Sequence, residues 1–328
     1  MLRGGRSYPI RVELEHIKYD AEVQLLWSAP GARAGEPAEA IAAARSADAV
    51  VLVLGLASWL EGEEMGIRIE GFHRGDRTSL DLPRVQQQLM EDVVEAARGK
   101  PVVLVLLSGS ALGVSWADEN VPAILHAWYP GQAGGTAVAD VLFGNVSPAG
   151  RLPVTFYRSV DQLPPFDDYG MKDRTYRYFT GEALYPFGHG LSYARFAYDR
   201  LKVPKKAQTG TPLEVSVRVR NEGAVPADEV VQLYLTHLDS SVPAPLRALK
   251  AFRRLSLKPR ERKTVRFTLA ERDLSLVTAD GERVIEPGRL RIAVGGKQPG
   301  TTGTAEATTT AVVTAELELV GEARSLDP

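Results

Sequence analysis

Ala49-Val-Val-Leu-Val-Leu54, followed by Gly55-Leu-Ala-Ser-Trp-Leu60 and then Glu61-Gly-Glu-Glu-Met65, is the stretch on which the reading of this chain turns. An apolar run with no polar face reads as a strand buried on both sides. Three carboxylates, Glu61, Glu63 and Glu64, then fall within four residues. Loops leaving the carboxyl ends of strands in α/β sheets are where ligands bind. A carboxyl placed there, its pKa raised by carboxylate neighbours, suits a general acid at neutral pH. The plainer alternative is a solvated acidic turn. The segment runs on through Ile69-Glu70-Gly71 to Gly75-Asp-Arg77 and Leu82-Pro83.

On either side the pattern alternates between helix and strand. Ala-rich 37–47 reads as a helix. Residues 83–98 carry Val85, Leu89, Val93, Val94 and Ala97 at helical spacing, with Pro83 suited to the first turn. Pro101–Leu107 and Ala123–Ala127 are further apolar strands, and Gln132–Phe143 is a helix stopped by Gly144-Asn145. Apolar strands alternating with helices give an α/β fold, a mostly parallel sheet covered by helices. No G-x-G-x-x-G follows the first strand and no G-x-x-x-x-G-K-[ST] occurs, so no nucleotide cofactor is expected.

The texture then changes. Residues 158–192 hold Phe166, Tyr169, Tyr176, Tyr178, Phe179, Tyr185 and Phe187, a long aromatic connection expected to pack between two domains. Beyond it Leu213–Val219, Val230–Leu235, Thr264–Leu269 and Leu290–Val294 are short strands separated by turns, the pattern of a β-sandwich. Thr-rich 301–314 reads as a loop and a final edge strand. At the other end, 8–14 and 22–27 alternate as a hairpin that cannot bury a core alone. The expected division is 1–30 hairpin, 31–158 α/β domain, 159–192 connection and 193–328 sandwich.

Composition narrows the function classes. With 39 basic and 41 acidic side chains the net charge is -2, and no basic stripe invites nucleic acid. The chain has no cysteine, and its five histidines show no His-x-x-x-His spacing, so no metal site is expected. No apolar run reaches the ~18 residues of a membrane span. Met1–Tyr8 lacks the apolar core of a signal peptide and reads as a cut through a larger protein.

Gly55-Leu, Glu61-Gly-Glu-Glu, Gly75-Asp-Arg77, Leu82-Pro83, Pro130-Gly-Gln-Ala-Gly-Gly135, Pro148-Ala-Gly-Arg-Leu-Pro153 and Tyr185-Pro-Phe-Gly-His-Gly-Leu-Ser-Tyr193 occur in that order. Together they resemble the C-terminal half of glycoside hydrolase family 3, the β-glucosidases and β-xylosidases. The sandwich, with Leu249-Lys-Ala-Phe-Arg-Arg-Leu255, Leu257-Lys-Pro259 and Val284-Ile-Glu-Pro-Gly288, is similar to the fibronectin type III-like domain that closes many of these proteins. Residues 1–29 resemble the last strands of an inserted protective-antigen-type sandwich, with an ordinary edge hairpin as the alternative. The resemblance implies a retaining, exo-acting β-glycosidase that needs no cofactor and acts on a carbohydrate, terminal β-glucosides or alternatively β-xylosides. It places the nucleophile on an N-terminal (β/α)8 barrel outside this chain and the acid/base glutamate on the α/β domain, so the chain alone is expected to be inactive. The alternative is a non-catalytic scaffold or carbohydrate-binding module.

Counting from Gly55, the resemblance puts the acid/base at Glu63, with Glu64 next, then Glu61, and Glu70 last. Trp59 is a candidate to stack on a sugar face, with core packing the alternative. Arg77 is the second substrate-binding candidate, although an internal Asp76–Arg77 ion pair shaping the loop is the stronger expectation. His189, between Gly188 and Gly190, is expected to make a structural hydrogen bond. Gly131, Gly134 and Gly135 fit a tight strand-to-helix turn.

Overall fold

The computed structural model describes residues 37–67, 69–300 and 309–326; the hairpin expected within 1–30 lies outside them. The first domain is built on three parallel strands in the order β1 (Val50–Gly55), β4 (Val102–Leu107), β5 (Ala123–His126). Helix α1 (Ala38–Ser46) precedes β1, α2 (Arg84–Ala96) and α3 (Ser115–Asn120) connect the strands in turn, and α4 (Gly134–Leu142) follows β5. Ala44, Met90, Val93 and Ala117 of the first three helices share one core with Leu54, Leu104 and Leu106 of the sheet. A two-strand hairpin, β2 (Phe72–His73) and β3 (Asp76–Arg77), rises from the long β1–α2 connection.

One expectation needs correcting. The first strand is not buried on both faces: Leu54 is buried, whereas Val51 and Val53 are 53% and 54% exposed. β1 is an edge strand, and no described element covers its second face.

After Leu142 the chain crosses to the second domain through residues 158–192, which hold a single 3-10 turn and the short helix α5 (Thr175–Tyr178). There β6 (Phe196–Lys202), β8 (Leu213–Asn221) and β11 (Arg262–Leu269) form one sheet, ordered β11-β8-β6. β7 (Lys206–Gln208), β9 (Ala227–His237), β10 (Ala248–Leu257), β14 (Gly288–Gly295) and β15 (Val312–Val320) form the other, ordered β10-β9-β14-β15-β7. A third, small sheet joins β12 (Leu276–Val277), β13 (Arg283–Ile285) and β16 (Arg324–Leu326). Strict alternation puts Leu213, Val215, Val217 and Val219 of β8 inward, against Val231, Leu233 and Leu235 of β9 and Ile292 and Val294 of β14. The last long strand is not an edge: β15 lies between β14 and β7, with β7 pairing parallel to it.

The two domains are joined by a buried ion pair. Arg151, from the Pro148–Pro153 motif, reaches into the sandwich and places Nη2 2.8 Å from Glu229 Oε2 on β9; the two side chains are 5% and 0% exposed. Tyr198 OH (2.7 Å) and Thr310 Oγ1 (2.9 Å) donate to the other carboxylate oxygen, and Arg151 Nε donates to Gly296 O. Burial pushes the Glu229 carboxyl up, and Arg151, Tyr198 and Thr310 pull against it. Beside it Tyr176 stacks on Phe187 at 4.1 Å and meets Tyr234 edge-on. On the other side Tyr185 donates to Asp118 of α3 at 2.6 Å, so part of the aromatic connection packs between domains as expected, but Phe166 and Tyr169 are about nine-tenths exposed and do not.

Candidate active site

Parallel strands bring their carboxyl ends to one edge of the sheet, and at that edge the first domain gathers its polar side chains. Gly55 ends β1 at φ +141, where an added Cβ would lie 1.8 Å from Leu107 O. Gln86 of α2 clamps both its backbone groups, accepting from Gly55 N and donating to Gly55 O, each at 2.8 Å. The chain then turns, buries Leu56 and Leu60, and delivers Glu61.

Glu61, delivered by the end of β1, is held from the ends of β4 and β5. Ser110, just past β4, donates from Oγ to Oε1 at 2.5 Å, and Gly109 donates its amide to Oε2 at 3.1 Å. Tyr129, just past β5, donates its hydroxyl to Oε2. Arg77 stands alongside, its Nη1 donating to Ser110 Oγ (3.0 Å) and to Ala111 O (2.6 Å). Burial pushes the Glu61 carboxyl up, but the hydrogen bonds from Ser110, Tyr129 and Gly109 and the Arg77 charge outweigh it, and the pKa falls below the ordinary value. The expectation that clustered carboxylates raise the pKa therefore fails at Glu61. Its three donors matter more than its acidic neighbours. Tyr129 is pushed up to about 12, by burial and by Glu61, and so remains a donor.

Behind these donors lies a second layer. His126 ends β5, and its Nε2 lies 3.2 Å from Ser108 Oγ, which itself donates to Ser110 O at 2.6 Å. Because the only Ser108 hydroxyl hydrogen is used there, Nε2 carries the imidazole proton and Nδ1 is left as a buried acceptor without a partner among the described residues. Burial lowers the His126 pKa to about 4, so the ring is neutral. Trp128 packs edge-on against it at 4.3 Å and holds φ at 57, a backbone region that bulky residues rarely enter. Tyr129 follows directly and reaches Glu61.

The remaining acidic residues sit differently. Glu64, at φ 56, pairs with Arg74 at 3.3 Å, both exposed. Glu70 pairs with Arg84 at 3.5 Å. Glu63 is exposed, and its carboxylate has no hydrogen-bond or ion-pair partner among the described residues. The β2–β3 hairpin braces this loop. Its turn residues Arg74 and Gly75 both have positive φ, as a type I′ turn requires. A Cβ on Gly75 would fall 1.7 Å from Gly62 O, so hairpin tip and loop touch backbone to backbone.

Trp59 is 63% exposed, which removes the core alternative. No Asp76–Arg77 ion pair forms among the described residues; Arg77 turns instead to Ser110, Ala111 and Ser79 O (3.1 Å). The His189 ring stacks on Tyr185 at 5.4 Å, and its Nδ1 has no hydrogen-bond partner among the described residues, so the expected structural hydrogen bond is not made there by that atom. Gly131, at φ +66, and Gly134, packed on Pro130, form the tight turn into α4. Sequence reasoning missed Ser108, Ser110, His126 and Tyr129. All four end an apolar parallel strand or lie within three residues of its carboxyl end, the rule that singled out the acidic loop.

Comparison with known proteins agrees with this architecture. The model of the glycosyl hydrolase family 3 C-terminal domain matches residues 4–193. The chain belongs to glycosyl hydrolase family 3. Within the sandwich, residues 229–298 match the fibronectin type III-like domain. A xylan 1,4-β-xylosidase of Xylanibacter ruminicola is 43% identical over 78% of this chain, and a periplasmic β-glucosidase of Salmonella typhimurium is 36% identical over 78%. The solved β-glucosidase of Erythrobacter marinus superposes with a TM-score of 0.72 at 36% identity, covering 87% of this chain and 36% of that one. A Listeria innocua β-glucosidase in complex with glucose superposes at 0.71 with 31% identity, covering 87% of this chain and 38% of that one. This family 3 chain spans only 29% and 34% of the length of the first two relatives.

Proposed function

We propose that this chain carries the general acid/base of a retaining, exo-acting β-glycosidase that removes terminal β-glucosyl or β-xylosyl residues, with Glu63 as the proton donor. The observation that carries the reading is the division of labour in the acidic loop. Glu61 accepts from three donors beside a guanidinium, so both of its carboxylate oxygens are already engaged. Glu64 is tied to Arg74. Glu63 lies between them on a loop fixed at both ends, its carboxyl open to an incoming leaving-group oxygen. Trp59, exposed on the same loop, is placed to meet a sugar face.

Retaining hydrolysis needs a second carboxyl about 5–5.5 Å from the first, as nucleophile. In this reading that group comes from the N-terminal barrel of the whole enzyme, and the 328-residue chain alone does not turn over. The Xylanibacter and Salmonella relatives name the two substrate classes proposed.

The test uses leaving groups. In the whole enzyme Glu63→Gln keeps shape but cannot donate a proton, so hydrolysis of poor leaving groups should slow by roughly 10²–10⁴. Dinitrophenyl glycosides, which need little protonation, should suffer far less, and azide should speed release of the glycosyl-enzyme. The same pattern at Glu64→Gln or Glu61→Gln, with Glu63→Gln near wild type, moves the role to that residue. If it appears at none of the four glutamates, Glu70 included, this loop is not the acid/base.

A further inference from the structure

The α/β domain and the connection meet the five-stranded sheet of the sandwich through Glu229, Gln232 and Tyr234. The outer face of the other sheet, β11-β8-β6, is exposed and strongly basic. Arg220 of β8 lies directly opposite Arg262 of β11, both in solvent. Two residues along β8, Arg218 grips Asp199 of β6 with two hydrogen bonds of 2.6 and 2.5 Å. Two further on, Ser216 sits between Lys202 and Arg266. Beyond it Glu214 accepts from Thr268 Oγ1 at 2.5 Å.

For the sheet by itself this arrangement is unfavourable. Like charges directly opposite each other on neighbouring strands are destabilising. Arg220 reaches only Glu222, at 3.8 Å, and the Arg262, Arg266 and Lys202 side chains have no ion pair or hydrogen bond among the described residues. Asp199 feels the charges of Arg200 and Arg220 as well as that of Arg218. Both carboxylates on the face are thus engaged, while two cationic pairs have little to neutralise them. Outside the described residues, 1–36 carry as many basic as acidic side chains and 301–308 carry one acid, Glu306, too little to cancel that excess.

Spacing and chemistry narrow the occupant. The two cationic pairs are four residues apart on β8, roughly 14 Å, with the Arg218–Asp199 pair between them. A single carboxylate or phosphate does not span that distance, but a polymer does. The register shift between Asp199 and Lys202 bends β6 and leaves a trough of about 300 Å³ along it, lined by Lys202, Pro204, Glu214, Ser216 and Arg266 among others. Guanidinium forks match carboxylates, and Ser216 and Thr264 offer hydroxyls to a polyhydroxylated chain. The face carries no aromatic side chain for base stacking and no exposed large apolar one to enter a bilayer.

We propose that the outer face of the β11-β8-β6 sheet is a docking surface for an acidic polysaccharide, whose carboxylates meet the Arg220–Arg262 and Lys202–Arg266 pairs in turn. Its hydroxyls fall on Ser216 and Thr264. The surface shares no residue with the Glu61 cluster and is independent of the acid/base assignment.

The experiment is affinity electrophoresis of the 328-residue chain in native gels containing polygalacturonate, with dextran gels in parallel, each read against a polymer-free gel. With a net charge of -2 the chain has no general attraction for polyanions, so retardation reports a local face. Polygalacturonate should retard it and dextran should not. The apparent affinity should fall at least roughly tenfold between about 50 and 200 mM salt. Arg262→Gln with Arg266→Gln should weaken binding by at least roughly tenfold (about 1.4 kcal/mol), with the thermal midpoint unchanged or raised because opposed charges are relieved. Lys202→Gln with Arg220→Gln gives the same readout from the facing strands if that variant does not fold. Arg84→Gln with Arg98→Gln removes the same charge from exposed positions of the α/β domain and should leave binding unchanged. Four results overturn the proposal: no retardation by polygalacturonate; equal weakening by the α/β-domain variant; double-stranded DNA bound as tightly as polygalacturonate; or phosphatidylserine vesicles bound in preference to it.

Discussion

Glu61 and Glu63 are two positions apart and have opposite surroundings. One carboxylate is filled with donors, and the other faces solvent with none among the described residues. Glu61→Gln removes the charge that Ser110, Gly109, Tyr129 and Arg77 converge on. Hydrogen bonds to a charged group contribute about 1.5–3 kcal/mol each when buried and less when partly exposed, as here. The variant should therefore unfold at lower denaturant by about 1–3 kcal/mol in total. It should also slow the whole enzyme by the same factor for good and poor leaving groups, unlike Glu63→Gln. A leaving-group-dependent loss would make Glu61 the proton donor. Because the folded pKa of Glu61 lies below its unfolded value, near 4.3, its contribution is complete above that value. It is lost as pH falls through the lowered folded value, so neutral and alkaline pH leave it untouched.

At the scale of elements, the loop is held less by its own sequence than by what meets it. The carboxyl ends of β1, β4 and β5 each contribute to the Glu61 cluster, and the β2–β3 hairpin presses on its far side. Gly75→Ala tests that brace. The residue sits at φ +89 with no room for a Cβ, so the change should destabilise by about 1–3 kcal/mol and loosen residues 61–65. Limited proteolysis of the loop should speed up in this variant. Gly66→Ala is the control: nothing lies within 4 Å of its Cβ position, and stability should not move. Equal effects at Gly66 and Gly75 would mean that the hairpin does not support the loop.

At the scale of the molecule, the Arg151–Glu229 pair ties the α/β domain to the sandwich, and Tyr176 and Phe187 of the connection pack against Tyr234 of the sandwich. A single cooperative unfolding transition is expected. Arg151→Ala should cost about 3–5 kcal/mol, because it strands a carboxylate that is fully buried. Replacing both partners by apolar residues should recover much of the loss. Two independent transitions in the wild-type chain, unchanged by Arg151→Ala, would show the domains to be uncoupled. The histidines add a pH dependence. Burial holds His126, His189 and His237 at about 4, whereas an unfolded histidine titrates near 6.5. The folded rings are neutral, so this contribution is whole above about pH 6.5 and is lost as pH falls towards 4. Calorimetry at about pH 5 in buffers of different ionisation enthalpy should show uptake approaching three protons on unfolding and almost none at pH 8. A thermal midpoint that stays level from pH 7 to 5 would contradict it.

The sequence alone determined what nearest neighbours along the chain decide. Apolar runs gave β1, β4 and β5, the helical spacing of Leu89, Val93 and Val94 gave α2, and the alternation of Leu213–Val219 gave β8, because strand and helix periods are written within a few residues. It also placed the acidic loop at a strand end, where parallel topology makes sites. Only the tertiary structure decided how Glu61 is held, since Ser110 and Tyr129 lie 49 and 68 residues away and meet it only where three parallel strands end together. The same holds for β1, whose five aliphatic residues look alike until the sheet order makes it an edge and leaves Val51 and Val53 in the open. It holds for β15 too, which β7 covers by a parallel pairing that no local pattern encodes. Periodicity records which face of an element is apolar; what meets that face, and which carboxylate is left free, is settled by packing between residues far apart in the chain.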